Sequence, residues 1–97
     1  MKYKVVFNHP SIQRHFEKEL SRFSLPVQEE VMKAVLNLAN EPRPHGVTKI
    51  KPPLDIFHHL AQYRVRVRNC RIFYDIDDKG KVVSIIALRK RDEQTYY

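Results

Sequence analysis

Arg64, Arg66, Arg68 and Arg71 fall within eight residues of one another, separated mainly by apolar side chains. A guanidinium stays charged and grips phosphate oxygens in pairs, so several on one rigid surface make a phosphodiester site. Lys49 and Lys51 upstream and Arg89 and Lys90 downstream could extend that surface, and Phe73 could offer a ring on which a base stacks. In the tail, Arg91 precedes Tyr97 by six residues and could fold back to complete the site with an aromatic wall. The plainer alternatives are a solvated strand face with cross-strand pairs such as Arg64–Asp75, and a frayed terminus.

Other chemistry has weaker support. His58 and His59 follow Asp55, but adjacent histidines cannot both point one way on a regular element, so no metal site is expected. One of them could act as an acid or base in a nuclease. His9, His15 and His45 read as capping, helix-surface and loop residues. Cys70 stands in or beside a turn with no base to activate it. Glycine-rich phosphate loops, nucleophile elbows and paired carboxylates are absent from the sequence.

The elements that must position the arginines centre on residues 62–77, QYRVRVRNCRIFYDID. Tyr63, Val65 and Val67 alternate with Arg64, Arg66 and Arg68; beyond Asn69-Cys70, Ile72, Tyr74 and Ile76 alternate with Arg71, Phe73 and Asp75. Period two on both sides of a turn predicts a hairpin, with an apolar face against the core and an arginine face outside. A turn at Asn69-Cys70 would set Arg68 opposite Arg71, Arg66 opposite Phe73 and Arg64 opposite Asp75.

Upstream, residues 2–7 read as a short strand and Asn8 as the cap of a helix with stripe Ile12, Phe16, Leu20 and Phe23. Ser24-Leu25-Pro26 breaks it and starts a second helix with stripe Val27, Val31, Ala34, Val35 and Leu38. Residues 40–46 are a loop, VTKIK at 47–51 a strand ended by Pro52-Pro53, and 54–61 an apolar loop or one helical turn. After the hairpin comes a turn at 77–80, in which Gly80 can supply a positive φ, and then an apolar, central strand over 81–88. The order β-αα-β-β-β-β, ending in a three-strand meander, predicts a single α+β domain over 1–97. An N-terminal strand and a two-helix hairpin would pack on one face of a twisted antiparallel sheet.

The chain has 97 residues, 42% of them hydrophobic, and a net charge of +7. That supports one folded core and not two. The basic excess is uneven: seven basic and five acidic side chains in 1–46, eleven and six in 47–97. Such charge favours nucleic acid or an acidic partner. A membrane is not expected, since VVSIIAL, the longest apolar-rich run, falls far short of the ~20 residues that span a bilayer. A single cysteine and no signal-like N-terminus lead to the expectation of a cytoplasmic protein.

The run YRVRVRNCRIFYDIDDKGKVVSIIALRKRDEQTYY resembles the C-terminal half of the RelE/ParE toxin superfamily. The short strand, helical hairpin, Pro-rich loop and GVTKIK segment fit upstream. The resemblance implies a RelE-like, microbial-ribonuclease-like fold in the toxin of a toxin–antitoxin pair, with a cognate acidic antitoxin as partner. For a RelE-type member it implies cleavage of mRNA, usually on the ribosome, by attack of the 2′-hydroxyl on the adjacent phosphate. For a ParE-type member it implies inhibition of DNA gyrase without RNA chemistry. A nonenzymatic basic RNA-binding or partner-binding module is a third reading. By position, Arg64, Arg66, Arg71, Arg91 and Tyr97 match the family's functional residues. Active members often carry lysine at positions 64 and 66. Arginine keeps its proton, which leaves substrate positioning, Tyr97, or a histidine such as His58 or His59 to take the place of that lysine.

Overall fold

The computed structural model describes residues 2–90. β1 (Lys4–Phe7) leads into α1 (Pro10–Leu20) and α2 (Leu25–Asn37), followed by β2 (Thr48–Ile56), β3 (His59–Val67), β4 (Cys70–Asp77) and β5 (Val82–Lys90). The five strands form one sheet in the order β1-β5-β4-β3-β2. Consecutive strands β2 to β5 pair antiparallel in a four-strand meander, one strand longer than expected. β1 pairs parallel with β5, so the sheet is mostly, not wholly, antiparallel. β1 and β2 lie at opposite edges, and the helical hairpin that joins them must cross the sheet: α1 lies against β1 and β5, α2 against β3.

Both helices turn their apolar stripes to the same face. Phe16, Val31, Val35 and Leu38 pack there with Tyr63, Val65, Cys70, Ile72, Tyr74, Ile76, Val83, Ile85 and Leu88. A smaller cluster, centred on Phe73 with Ile56, Ala61, Ile86 and Ala87, contains no helix residue. A bulge in β5 makes it possible: Phe73 pairs with Ala87 and Tyr74 with Ile85, so Ile86 is the extra residue. α1 is capped by His9, not Asn8: His9 Nδ1 accepts from Ser11 N at 3.1 Å, while Asn8 Oδ1 accepts from the Ser84 hydroxyl at 3.2 Å. No helix among the described residues is long and apolar enough to cross a membrane.

The hairpin keeps its predicted faces but not its predicted register. Tyr63 pairs with Tyr74, Arg64 with Phe73, Val65 with Ile72, Arg66 with Arg71 and Val67 with Cys70. The turn is therefore Arg68-Asn69, with Arg68 at φ 52°. Parity survives because the register moves by two; the partners change. Cys70 explains the choice, since paired with Val67 its thiol is fully buried as a small apolar group.

The strand expected over 47–51 is present from Thr48, but it does not stop where expected. Pro52 and Pro53 do not end β2; they lie inside it, at a register irregularity between Lys49 and Leu54, on an edge strand where their missing N–H groups cost no ladder bond. Residues 54–61 are strand, turn, strand: Ile56 pairs with His59 across Phe57-His58, both at positive φ (52° and 65°). Without glycine or asparagine there, no hairpin signal was visible; the Asp55 carboxylate holds the turn by accepting from His58 N at 3.0 Å. In the β4–β5 turn the positive φ belongs to Lys81, not Gly80. Gly80 is there for space, as an added Cβ would lie 2.7 Å from Asp77 Oδ2.

The register is testable through the thiol. Burial pushes the Cys70 thiol pKa up, and a buried, protonated thiol reacts slowly, so native protein should label with a disulfide reagent at least about 100-fold more slowly than urea-unfolded protein. Equal rates would place Cys70 in an exposed turn.

Candidate functional site

Two cross-strand rows lie on the sheet face away from the helices. Arg66 of β3, Arg71 of β4 and Arg89 of β5 stand directly opposite one another, and Thr48, Arg64, Phe73 and Ala87 form the row beside them. Like charges placed directly opposite are destabilising. The ion pairs among the described residues are Arg22–Glu19, Arg43–Asp78 and Arg68–Glu30, so the charges of Arg64, Arg66, Arg71 and Arg89 are not neutralised there. Arg71 Nε is buried and has no hydrogen-bond partner among the described residues. Buried donors without an acceptor are uncommon in folded proteins. Arg64, Arg66 and Arg71 line an open cleft of about 350 Å³ together with His45, Gly46 and Thr48.

The rim of the cleft is a loop held by the sheet. The Tyr74 hydroxyl donates to the Pro42 carbonyl at 2.8 Å. Arg43 donates to both Asp78 oxygens at 3.1 and 2.8 Å and to the Tyr63 hydroxyl at 3.1 Å, with its guanidinium 5.1 Å from the Tyr63 ring centre. Hydrogen bonds from Arg43, and then from the Tyr3 hydroxyl at 2.6 Å, hold Asp78 down to a pKa of about 2. The same contacts to Asp78 and Tyr63 raise that of Arg43, while burial raises that of Tyr74. Past Arg43 the chain makes a tight turn. Val47 N donates to the Pro44 carbonyl at 3.1 Å and Gly46 takes φ +87°, the backbone a type II turn requires at its third residue. His45 is the second residue of that turn.

Of the residues expected in the site, Arg64, Arg66 and Arg71 converge and Arg89 joins their row. Arg68 does not: it sits in the hairpin turn and bonds Glu30 of α2 through Nε at 2.6 Å and Nη2 at 3.1 Å. Arg64 faces Phe73, not Asp75, which instead accepts from Gln62 at 3.0 Å. Lys49 pairs with Tyr63 and Lys90 with Cys70, which turns both to the helix side of the sheet. Lys51 is exposed at the irregularity in β2 and does not line the cleft. Phe73 is only 5% exposed, with the Arg89 guanidinium 5.6 Å over its ring, so it supports the arginines and offers no open ring to a base. His58 and His59 lie at the tip of the β2–β3 hairpin, away from the end where Thr48 meets Arg64. Arg91 and Tyr97 lie outside the described residues. His45 and Thr48 were missed: Pro44-His45-Gly46 reads as a loop, and nothing in it says which face of the sheet it borders.

A sequence model described as the ParE toxin of the type II toxin–antitoxin system parDE matches residues 8–95. No match is found among curated proteins. Several solved structures share the fold. An archaeal RelE–RelB complex from Pyrococcus horikoshii OT3 aligns with TM-score 0.70 at 24% identity, over 96% of this chain and 99% of that one. The RelBE2 toxin–antitoxin complex from Mycobacterium tuberculosis aligns with TM-score 0.65 at 21% identity, over 94% and 100%. The isolated RelE toxin of E. coli gives 0.65 at 23% identity, over 97% and 90%. The chain belongs to the RelE/ParE superfamily, the toxins of type II toxin–antitoxin systems.

Two outcomes follow from this geometry. Replacing Arg71 with Met removes an unsatisfied buried donor and a like charge, and should raise stability to urea by about 1 kcal/mol at low salt; a loss would mean that Arg71 is structural. Asp78 has a folded pKa below the ordinary value, so its ionised form stabilises the fold above about pH 4, and that contribution disappears as pH falls through about 2. In urea titrations the stability gap between wild type and Asp78→Asn should be full at neutral pH and close between those two values.

Proposed function

We propose that this toxin is an endoribonuclease that cleaves mRNA on the ribosome. The observation that carries the reading is the Arg66–Arg71 pair: two arginines on directly opposite strand positions, without an ion-pair partner among the described residues, one with a buried Nε that has no partner there, and both lining an open cleft. The 2′-oxygen attacks the adjacent phosphorus, the P–O5′ bond breaks, and the products carry a 2′,3′-cyclic phosphate and a 5′-hydroxyl. Arg71 and Arg66 stabilise the charge that builds on the phosphorane oxygens, where fixed donors are most effective. Arg64 and Thr48 hold the flanking backbone, and Arg89 adds charge where the row continues. Arg91 and Tyr97 complete the site from the tail. A cognate acidic antitoxin neutralises the toxin by covering this basic surface; two of the structural neighbours are toxin–antitoxin complexes.

The ParE description of the matching family supports a second reading, in which the same face docks on DNA gyrase and cuts no RNA. Induction in bacteria followed by primer extension separates the two. Wild type should arrest growth and leave mRNAs with discrete new 5′ ends, and Arg71→Ala should lower the cleavage rate by about 100-fold or more. Growth arrest with intact mRNA and broken DNA would establish the gyrase reading instead.

A further inference from the structure

We infer that His45 is the general base of the site, the group that removes the proton from the attacking 2′-hydroxyl. This rests on the ribonuclease reading and adds what the arginines cannot supply. The cleft is lined by Arg64, Arg66 and Arg71 from the sheet, Thr48 from β2, and Gly46 and His45 from the rim. Arginine does not give up its proton in a protein, and a threonine hydroxyl is far too weak a base. Of these groups only the His45 imidazole is of a type that serves as a general base.

The loop is built to aim that side chain. On one side of His45, Pro42 is bonded to Tyr74 and Arg43 to Asp78 and Tyr63; on the other, Val47 closes the turn onto Pro44. Tyr74 and Tyr63 are core residues of β4 and β3, the strands that carry the three arginines. The base and the phosphate grip are thus fixed to the same two strands. An added Cβ on Gly46 would meet nothing within 4 Å, so the glycine serves the backbone alone: its φ of +87° sets the turn that presents His45.

In the step itself the proton passes from the 2′-hydroxyl to the imidazole as the 2′-oxygen bonds to phosphorus. The electron pair of the P–O5′ bond leaves with the 5′-oxygen, which takes a proton from solvent water. The imidazolium then returns its proton to solvent. The arginines that face His45 do not change charge in the working range. A rate that rises with pH therefore reports the base and not the arginines.

The test is single-turnover cleavage of a short labelled mRNA on purified programmed ribosomes, with wild type, His45→Ala, His45→Gln, Tyr97→Phe and Lys79→Ala. Thermal melts confirm that each variant is folded, and affinity is measured with mRNA carrying a 2′-deoxy nucleotide at the cut site. His45→Ala should cut about 100-fold more slowly or worse, lose the rise with pH and regain part of the rate with added imidazole. Its affinity for the deoxy substrate should stay within about threefold of wild type. Lys79→Ala, on a remote turn, should behave as wild type. Cleavage by His45→Ala at the wild-type rate, with Tyr97→Phe inactive, would overturn the assignment of His45 and leave the ribonuclease reading standing. A wild type that cuts no RNA overturns both.

Discussion

Two arginines held face to face on adjacent strands are an arrangement a sheet does not adopt for its own stability. The backbones of Arg66 and Arg71 cannot separate without breaking the β3–β4 ladder, and that ladder is fixed by what lies behind it: Val65 on Ile72, Val67 on a fully buried Cys70, Tyr63 on Tyr74 with ring centres 5.8 Å apart. The core beneath the helices thus imposes the charge density above. Phe73 and Ala87 give the arginine face its own footing, made possible by the β5 bulge at Ile86.

The arginines divide into two kinds, and net charge does not distinguish them. Arg43 and Arg68 are bonded to carboxylates, Asp78 and Glu30, and serve the fold: one ties the rim loop to the β4–β5 turn, the other ties the central hairpin to α2. Arg64, Arg66, Arg71 and Arg89 have no such partner among the described residues. The chain has acidic residues enough to neutralise more of them, yet Glu30 and Asp78 are turned elsewhere. Their placement keeps one face positive.

Alternation of side chains was legible in the sequence because it depends on parity alone, and it correctly separated the core face from the arginine face. Register was not legible, since a shift of two residues preserves every face. Only the packing of Cys70 decides between the two turns. Local composition misled where tertiary context prevailed. Pro52-Pro53 reads as a strand end but is harmless on an edge strand, and Phe57-His58 lacks every usual hairpin residue yet turns the chain. Phe73 looked like a stacking platform because its burial depends on a bulge in another strand. His45 was overlooked for the same reason: its place at the cleft depends on where Arg43 anchors the loop, thirty-five residues in sequence from Asp78.

Separating the phosphate grip from the proton acceptor has a consequence for how one fold serves different targets. A site whose base is also its phosphate ligand, as a lysine can be, loses affinity and chemistry together when that residue changes. In the proposed mechanism the grip resides in β3 and β4 and the acceptor on a rim loop, so a change in the loop would remove the chemistry and leave the grip in place. Under that mechanism the same sheet would support a nuclease or a pure binding protein, with the side chain at the turn held by Gly46 and the Arg43 clamp deciding between them. Fold similarity at 21–24% identity does not make that distinction, because one fold hosts different functions and the function lies in the site. The proposed mechanism is therefore decided at positions 42–47 and not on the sheet, which would bind an anion under either reading.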